Sequence, residues 1–446
     1  MGDQENALAE HLEAAAAALA ADAGGGSRPS DSSLLQYLGY DDGDRVQTAG
    51  RIRLLRAAAR FRRLFRLPVP DAPALIFFGG EADPAVLGEQ HVGLPLGSLA
   101  GSGLSPQRAF ESCIGEGIEY LSQFVQADDP VLRGPFSEYR QACGADVGDF
   151  IAGVLAASAI NADRSIAWVP ARGPSGGAMH FPLDLCFRRR ASEQDFKPPL
   201  KLSTGCAAGP TAEAATLRGL LELVERDAVA LWWRGGRRGR SIASGSEAAR
   251  AAADLLAQLR RGATERKTWF LDITTDLEIP AVAALSARAD GYGFCFGFGA
   301  RLNFADAACA AIFELCQVEL GQHVVAAKRQ ESGDGALNES DLRQFRRGTF
   351  FDTRSCALLQ PEDGPQSLAT EQTSLSNLQD ALERLQARDI AVYTIDLTRP
   401  QFGIPAVRVL APTLQLEPCQ IVGARLARTI AATGGGAVHH SGMPLL

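Results

Sequence analysis

Apolar positions along this chain repeat with two periods. A helical period of three to four residues runs through residues 5–23 and 51–66, and through the segments ESCIGEGIEYLSQF, ATLRGLLELVERDAVALWW and ACAAIFELCQVELGQH. Short runs rich in β-branched and aromatic residues predict strands near residues 75–78, 166–169, 269–272, 281–285, 294–298, 390–395 and 406–410. From Ala74 onward strands and helices alternate, which predicts an α/β fold of the mixed α+β kind.

Within the helical segments one spacing recurs. An alanine is followed after seven residues by a glutamate and after ten by a glutamate or glutamine: Ala109, Glu116, Glu119; Ala215, Glu222, Glu225; Ala307, Glu314, Gln317. On a helix these offsets keep the three positions on one side. The glutamates interrupt apolar runs such as Gly219-Leu220-Leu221 and Leu223-Val224, a context that predicts burial. Buried carboxylates that converge either take up protons or hold a hard cation such as Mg²⁺, and the second outcome is the one expected here. The competing reading is three ordinary solvated helix faces.

A second echo joins LDITTDLEIPAVAAL to IDLTRPQFGIPAVRVL, each with an aspartate closing one strand and Ile-Pro-Ala-Val opening the next. Two strand pairs of one design predict related lobes, each able to supply a helix to a common centre.

Composition narrows the classes. At 446 residues and 46 % apolar the chain can bury a large core. No apolar run is long enough for a membrane span, and the start, MGDQENALAEHLEA, is too polar for a signal peptide, so the cytoplasm is the expected location. A net charge of −8 disfavours nonspecific nucleic-acid binding. Nine cysteines with no C-x-x-C pair read as core thiols, not as a disulfide framework or zinc site. Residues 51–66, RIRLLRAAARFRRLFR, read as one helix with a basic face, either solvated, used to dock an acidic peptide or partner, or lying on a membrane surface. The run from Ala23 to Ser30 reads as a Gly/Ser linker, and the two histidines His439 and His440 as part of a mobile tail.

The chain lacks a G-x-x-x-x-G-K-[ST] phosphate loop, a G-x-S-x-G elbow and an H-E-x-x-H zinc helix. Two Gly-rich turns precede acidic helices, Gly101-Ser102-Gly103-Leu104-Ser105-Pro106 and Ser203-Thr204-Gly205-Cys206-Ala207-Ala208-Gly209-Pro210. Ser105 and Pro106 form a good N-cap and first-turn pair. Helix starts suit phosphate oxygens, so acids and turns together predict a bridge in which carboxylates hold Mg²⁺ and Mg²⁺ holds phosphates.

STGCAAGPTAEAATLRGLLELVERDAVALWW closely resembles the central signature of the YcaO family, GSGLSPQRAFESCIGEGIEYLSQF its first acidic helix, and AACAAIFELCQVEL its third. The resemblance runs from about Ala74 to the C-terminus. It implies a YcaO-like fold of related strand–helix lobes around a central acidic ATP cavity, here with a helical N-terminal extension. Residues 1–70 are then an accessory segment and residues 71–446 the catalytic domain. It further implies ATP and Mg²⁺ as cofactors, with Glu116, Glu119, Glu222, Glu225 and Glu314 as metal- and nucleotide-binding positions and Arg226 near the phosphates. Arg226 also reads as a simple partner of Asp227 or Glu222.

The implied reaction is ATP-dependent cyclodehydration of Cys, Ser or Thr in a ribosomally made precursor peptide to thiazoline or oxazoline, as in bacteriocin biosynthesis. Two rival readings stand beside it: backbone thioamidation by the same ATP chemistry, and an ATP-binding scaffold subunit without catalysis. The tail from Met443 to Leu446 is the candidate catalytic segment, by analogy with the proline-rich ends of azoline-forming relatives. A leader-binding protein and a flavin-dependent dehydrogenase are the implied partners, and a homodimer is compatible with the same resemblance.

Overall fold

A computed structural model describes residues 2–23, 33–40, 45–141, 143–174, 176–362 and 375–445. The expected Gly/Ser linker lies almost wholly outside them. The described residues form fourteen α-helices and thirteen strands, a mixed α/β architecture. The chain divides into two units, one of Met1–Pro68, Leu75–Leu220 and Tyr393–Leu410, the other of Val69–Ala74, Leu221–Val392 and Ala411–Leu446. The residues before Pro68 share the first unit with the first acidic helix, and residue 70 lies in the short stretch Val69–Ala74 of the second unit.

In the first unit the helix Gly2–Ala23 buries Leu12, Ala16 and Leu19 and lies against the helix Arg45–Ala58. The single basic helix expected over 51–66 is not formed. The chain leaves the helix at Ala58 and becomes the strand Arg63–Leu67, edge of a three-stranded antiparallel sheet with Ile76–Ala82 and Gly97–Gly103. Strand pairing wins over helical period here because Phe65 sits directly opposite Gly79, where its ring covers the space a side chain would fill.

The helix Pro106–Ser122 packs on this sheet, capped by Ser105, whose Oγ accepts the Arg108 N–H at 3.2 Å. The stretch read as a Gly-rich turn is largely the strand Gly97–Gly103 itself. Its glycines are a packing requirement, since a Cβ on Gly101 would stand 2.3 Å from the Ala109 carbonyl and 2.2 Å from the Cys113 nitrogen. A second sheet of the same unit runs Leu132–Gly134, Ile166–Arg172, Tyr393–Asp396, Ala406–Leu410, Cys206–Ala208, with Ala178–Pro182 paired to Ile166–Arg172. The second Gly-rich turn likewise contains a strand, Cys206–Ala208, which pairs with Ala406–Leu410.

The second unit is built on an antiparallel sheet in the order Cys295–Ala300, Ala281–Ala287, Lys267–Asp272, Arg240–Ser241. Across it lies the long helix Phe304–Ser332, capped by Asn303. The approach is again as close as glycine permits: a Cβ on Gly297 would meet the Ala311 carbonyl and the Leu315 nitrogen at 2.2 Å.

The two echoed segments fold alike, one in each unit. Asp272 Oδ1 accepts the Thr274 N–H at 2.9 Å and Asp396 Oδ1 that of Thr398 at 2.8 Å. Thr274 Oγ1 accepts from Ala281 at 3.0 Å and Thr398 Oγ1 from Ala406 at 3.1 Å. Both hairpins are thus turned by the same Asp–Thr pair, an Asx turn followed by a hydroxyl that closes the next strand.

Candidate functional site

Glu222, Glu225 and Arg226 lie on the helix Ala212–Trp233, and Glu314 on the helix Phe304–Ser332 of the same second unit. Offsets of three and four residues set Glu222, Glu225 and Arg226 on adjoining faces of one turn. Arg226 stands 3.6 Å from Glu222 and 3.6 Å from Glu225. Its Nη1 is buried with no hydrogen-bond partner among the described residues. Asp227, the other neighbour weighed for it, is buried in a separate network with Arg425, which also holds Asp276.

Burial raises the Glu314 carboxyl, the Glu225 charge adds to that, and Arg226 pulls partly back, so that it stands at about 7. Burial works to lower Arg226, yet Glu225, Glu222 and Glu314 outweigh it and raise the guanidinium above its ordinary range. Glu222 and Glu225 thus pair with the guanidinium at 3.6 Å each, and Glu314 interacts with it as a third carboxyl group. The excess of carboxyl groups fits a divalent cation, and Nη1, which is ion-paired with Glu225 but makes no hydrogen bond, fits an anionic oxygen such as a phosphate's.

Glu116 and Glu119 belong to the first unit, on Pro106–Ser122. Glu116 Oε2 accepts the Ala100 N–H at 2.6 Å, and Glu119 Oε1 accepts the Ala208 N–H at 2.9 Å. The burial expected of all five acids is graded: Glu225 is buried, Glu119, Glu222 and Glu314 are partly buried, and Glu116 is exposed. Among the described residues no three acids, histidines or cysteines converge as a metal-chelating group. The physical reason is local, since Arg226 lies between two of the glutamates and backbone N–H groups engage one oxygen each of Glu116, Glu119 and Glu314.

Residues 100–415 match the family model described as YcaO cyclodehydratase, ATP- and Mg²⁺-binding. The chain belongs to the YcaO family. ATP and Mg²⁺ are therefore its cofactors, in agreement with the charge balance around Arg226. A heterocyclase solved in complex with substrate and cofactor is 25 % identical with a TM-score of 0.63, the match covering 83 % of this chain and 52 % of that one. The YcaO protein of Methanopyrus kandleri, solved bound with AMPPCP and Mg²⁺, shares the fold at 18 % identity and a TM-score of 0.53, over 79 % of this chain and 85 % of that one. An uncharacterized protein in the tfuA 3′ region of Rhizobium leguminosarum bv. trifolii is 28 % identical over 226 residues, 48 % of this chain and 53 % of that protein. The chain spans about half the length of this curated relative.

Sequence reasoning missed Arg218. It lies four residues before Glu222, and its Nη1 donates to the Ala208 carbonyl at 3.0 Å, while the N–H of the same Ala208 serves Glu119. The i, i+4 spacing from Glu222 was the available signal. The C-terminal tail is docked where a mobile one was expected: His440 is buried, its ring stacks on Trp233 at 4.2 Å, and Trp233 Nε1 donates to the Met443 carbonyl at 2.8 Å. Arg347 Nη1 donates to the Leu445 carbonyl at 2.9 Å. Leu446 lies outside the described residues.

Proposed function

We propose that this chain catalyses ATP-dependent cyclodehydration of Cys, Ser or Thr residues in a ribosomally made precursor peptide, forming thiazolines or oxazolines. The observation that carries the reading is the Glu222–Glu225–Arg226–Glu314 cluster, with its excess of carboxyl groups and a buried Nη1 that makes no hydrogen bond, inside the segment that matches the family. The similarity to a heterocyclase over 83 % of the chain supports the same reaction class. ATP supplies the phosphoryl group that makes the amide oxygen a leaving group.

The chain's own residues have positional roles. Glu222, Glu225 and Glu314 are the proposed carboxylate donors to Mg²⁺ in the second unit, and Glu116 and Glu119 are proposed metal- and nucleotide-binding residues of the first. Arg226 is the proposed phosphate contact, raised above its ordinary range and therefore fully charged. A leader-binding protein and a flavin-dependent dehydrogenase are the proposed partners.

Thioamidation is the second reading, and the docked tail is the observation in its favour. The segment that would assist azoline formation is fastened to Trp233, eight residues and about 12 Å along the helix from Glu225. Product mass separates the two when the chain is incubated with a precursor peptide, ATP and Mg²⁺. Loss of water lowers the peptide by about 18 Da per residue, whereas exchange of oxygen for sulfur adds about 16 Da, both after phosphoryl activation of the amide. The lighter product is expected. ATP consumption that depends on a sulfur donor and yields only the heavier product would overturn cyclodehydration.

A further inference from the structure

Seven arginines fall within residues 51–66, and all but Arg51 are exposed, in a chain whose net charge is −8. Arg53, Arg56, Arg60 and Arg66 pair with no carboxylate among the described residues, and Arg63 reaches Glu81 only at 3.7 Å. A local basic cluster of this kind attracts anionic partners even where the whole chain is acidic.

The strand Arg63–Leu67 runs through the cluster. It is the edge of its sheet, paired with Ile76–Ala82 on one side, and its backbone makes no further hydrogen bond among the described residues. An open edge offers a row of N–H and C=O groups to an extended chain. Alternation divides the side chains of the strand between two faces. Arg66 lies opposite Phe78, whose ring packs on Phe110 of the helix Pro106–Ser122, and its guanidinium stacks over Tyr37 at 5.4 Å. Arg63, Phe65 and Leu67 take the other face, with Arg63 over the Phe65 ring at 5.3 Å. Stacking steadies each guanidinium and leaves its N–H edge for an acceptor.

We propose that this edge docks an acidic, extended segment of the precursor peptide as a fourth strand, a choice of occupant that rests on the proposed function. The backbone of the segment pairs with Arg63–Leu67, its acidic side chains meet Arg63 on one face and Arg66 on the other, and an apolar side chain lies against Phe65. A second copy of this chain fits poorly, because its own arginines would be brought against these. A nucleic acid or an anionic membrane answers the charge and leaves the backbone groups of the edge unpaired.

The test uses the full chain without nucleotide, and as probe a fluorescent octapeptide alternating glutamate and valine. Binding is read by anisotropy, and Arg63→Glu combined with Arg66→Glu should weaken it by about tenfold or more and make the remainder less salt-sensitive. On the unsubstituted chain, the same peptide methylated at every backbone nitrogen keeps its charge and loses its donors, and should also bind about tenfold more weakly. That arm requires no variant to fold. With a precursor peptide as substrate, the double variant should raise KM. Equal binding of the methylated peptide, undiminished binding by the double variant, an unchanged KM, or a thymidine oligonucleotide or phosphatidylserine vesicle held more tightly than the probe overturns the proposal. A wild type that binds the probe but removes no water from the precursor overturns cyclodehydration and not the docking edge.

Discussion

The backbone N–H of Phe298 donates to Glu314 across 2.5 Å. The first unit repeats the arrangement, with the Ala100 N–H donating to Glu116 at 2.6 Å. In each case the residue after the donor is a glycine pressed against the repeated alanine. A Cβ on Gly101 would lie 2.3 Å from the Ala109 carbonyl, and one on Gly299 2.3 Å from that of Ala307. The alanine–glutamate spacing is therefore the record of a strand and a helix meeting at two points, one steric and one polar. The cap belongs to the same module, since Ser105, Thr211 and Asn303 each stand four residues before the alanine and accept its N–H through their carbonyls at 3.1, 3.0 and 3.2 Å.

Glycine at these contacts is required sterically, so enlarging it should separate helix from strand. Gly101→Ala and Gly297→Ala are each expected to destabilise by about 1–3 kcal/mol, the usual cost of overpacking. Gly115→Ala, on the same helix as Glu116 but with no atom within 4 Å of the added methyl, should be neutral or slightly stabilising. Denaturant midpoints measure all three. Equal shifts for Gly101→Ala and Gly115→Ala would remove the close-contact explanation.

The acid cluster makes a separate prediction about binding. Glu222→Gln and Glu225→Gln each remove a charge that both holds Arg226 and attracts a divalent cation, so Mg·ATP binding by calorimetry should be lost while circular dichroism stays native. Arg226→Gln should weaken nucleotide binding while leaving Glu222 and Glu225 in place, because it removes the guanidinium whose Nη1 makes no hydrogen bond. Wild-type affinity in both glutamine variants at Glu222 and Glu225 would eliminate the cluster as the nucleotide site.

Much of this was legible in the chain because it repeats. The three Ala–Glu spacings and the paired Asp/Ile-Pro-Ala-Val segments each correspond to a repeated piece of structure, and the strands near residues 281 and 406 lie where the patterning put them. The strand Gly97–Gly103 was hidden by its composition, since glycine and serine carry no β-propensity signal and serve here to let a helix approach. Arg63–Leu67 was hidden because RLFRL continues a helical period and is decided by its partner strand. Burial was overestimated at Glu116 because periodicity fixes which side of a helix a residue takes, not what covers that side.

The tail offers the last prediction, in which pH is the variable. Burial lowers the proton affinity of His440 below the ordinary histidine range, partly offset by its bond to the Trp233 carbonyl, so the docked state favours the neutral ring. Docking is then fully present above the ordinary value of about 6.5 and is lost as pH falls through that value toward the docked one. The contact is otherwise well made: the Gly436 N–H donates to the Arg234 carbonyl at 2.8 Å, and a Cβ on Gly436 would strike the Trp233 carbonyl at 1.6 Å, so the glycine run allows the turn back onto the helix. Acidification from about pH 7.5 to 5.5 should release the tail, read as faster carboxypeptidase trimming and a change in tryptophan emission. His440→Phe keeps the stack without a titrating group and should abolish the dependence. Trimming that stays independent of pH in the wild type, or equally dependent on it in His440→Phe, would remove His440 as the latch. Nucleotide affinity that is unchanged when the tail is released would place the tail outside the binding step, and affinity lost with it would tie the tail held by Trp233 to that step.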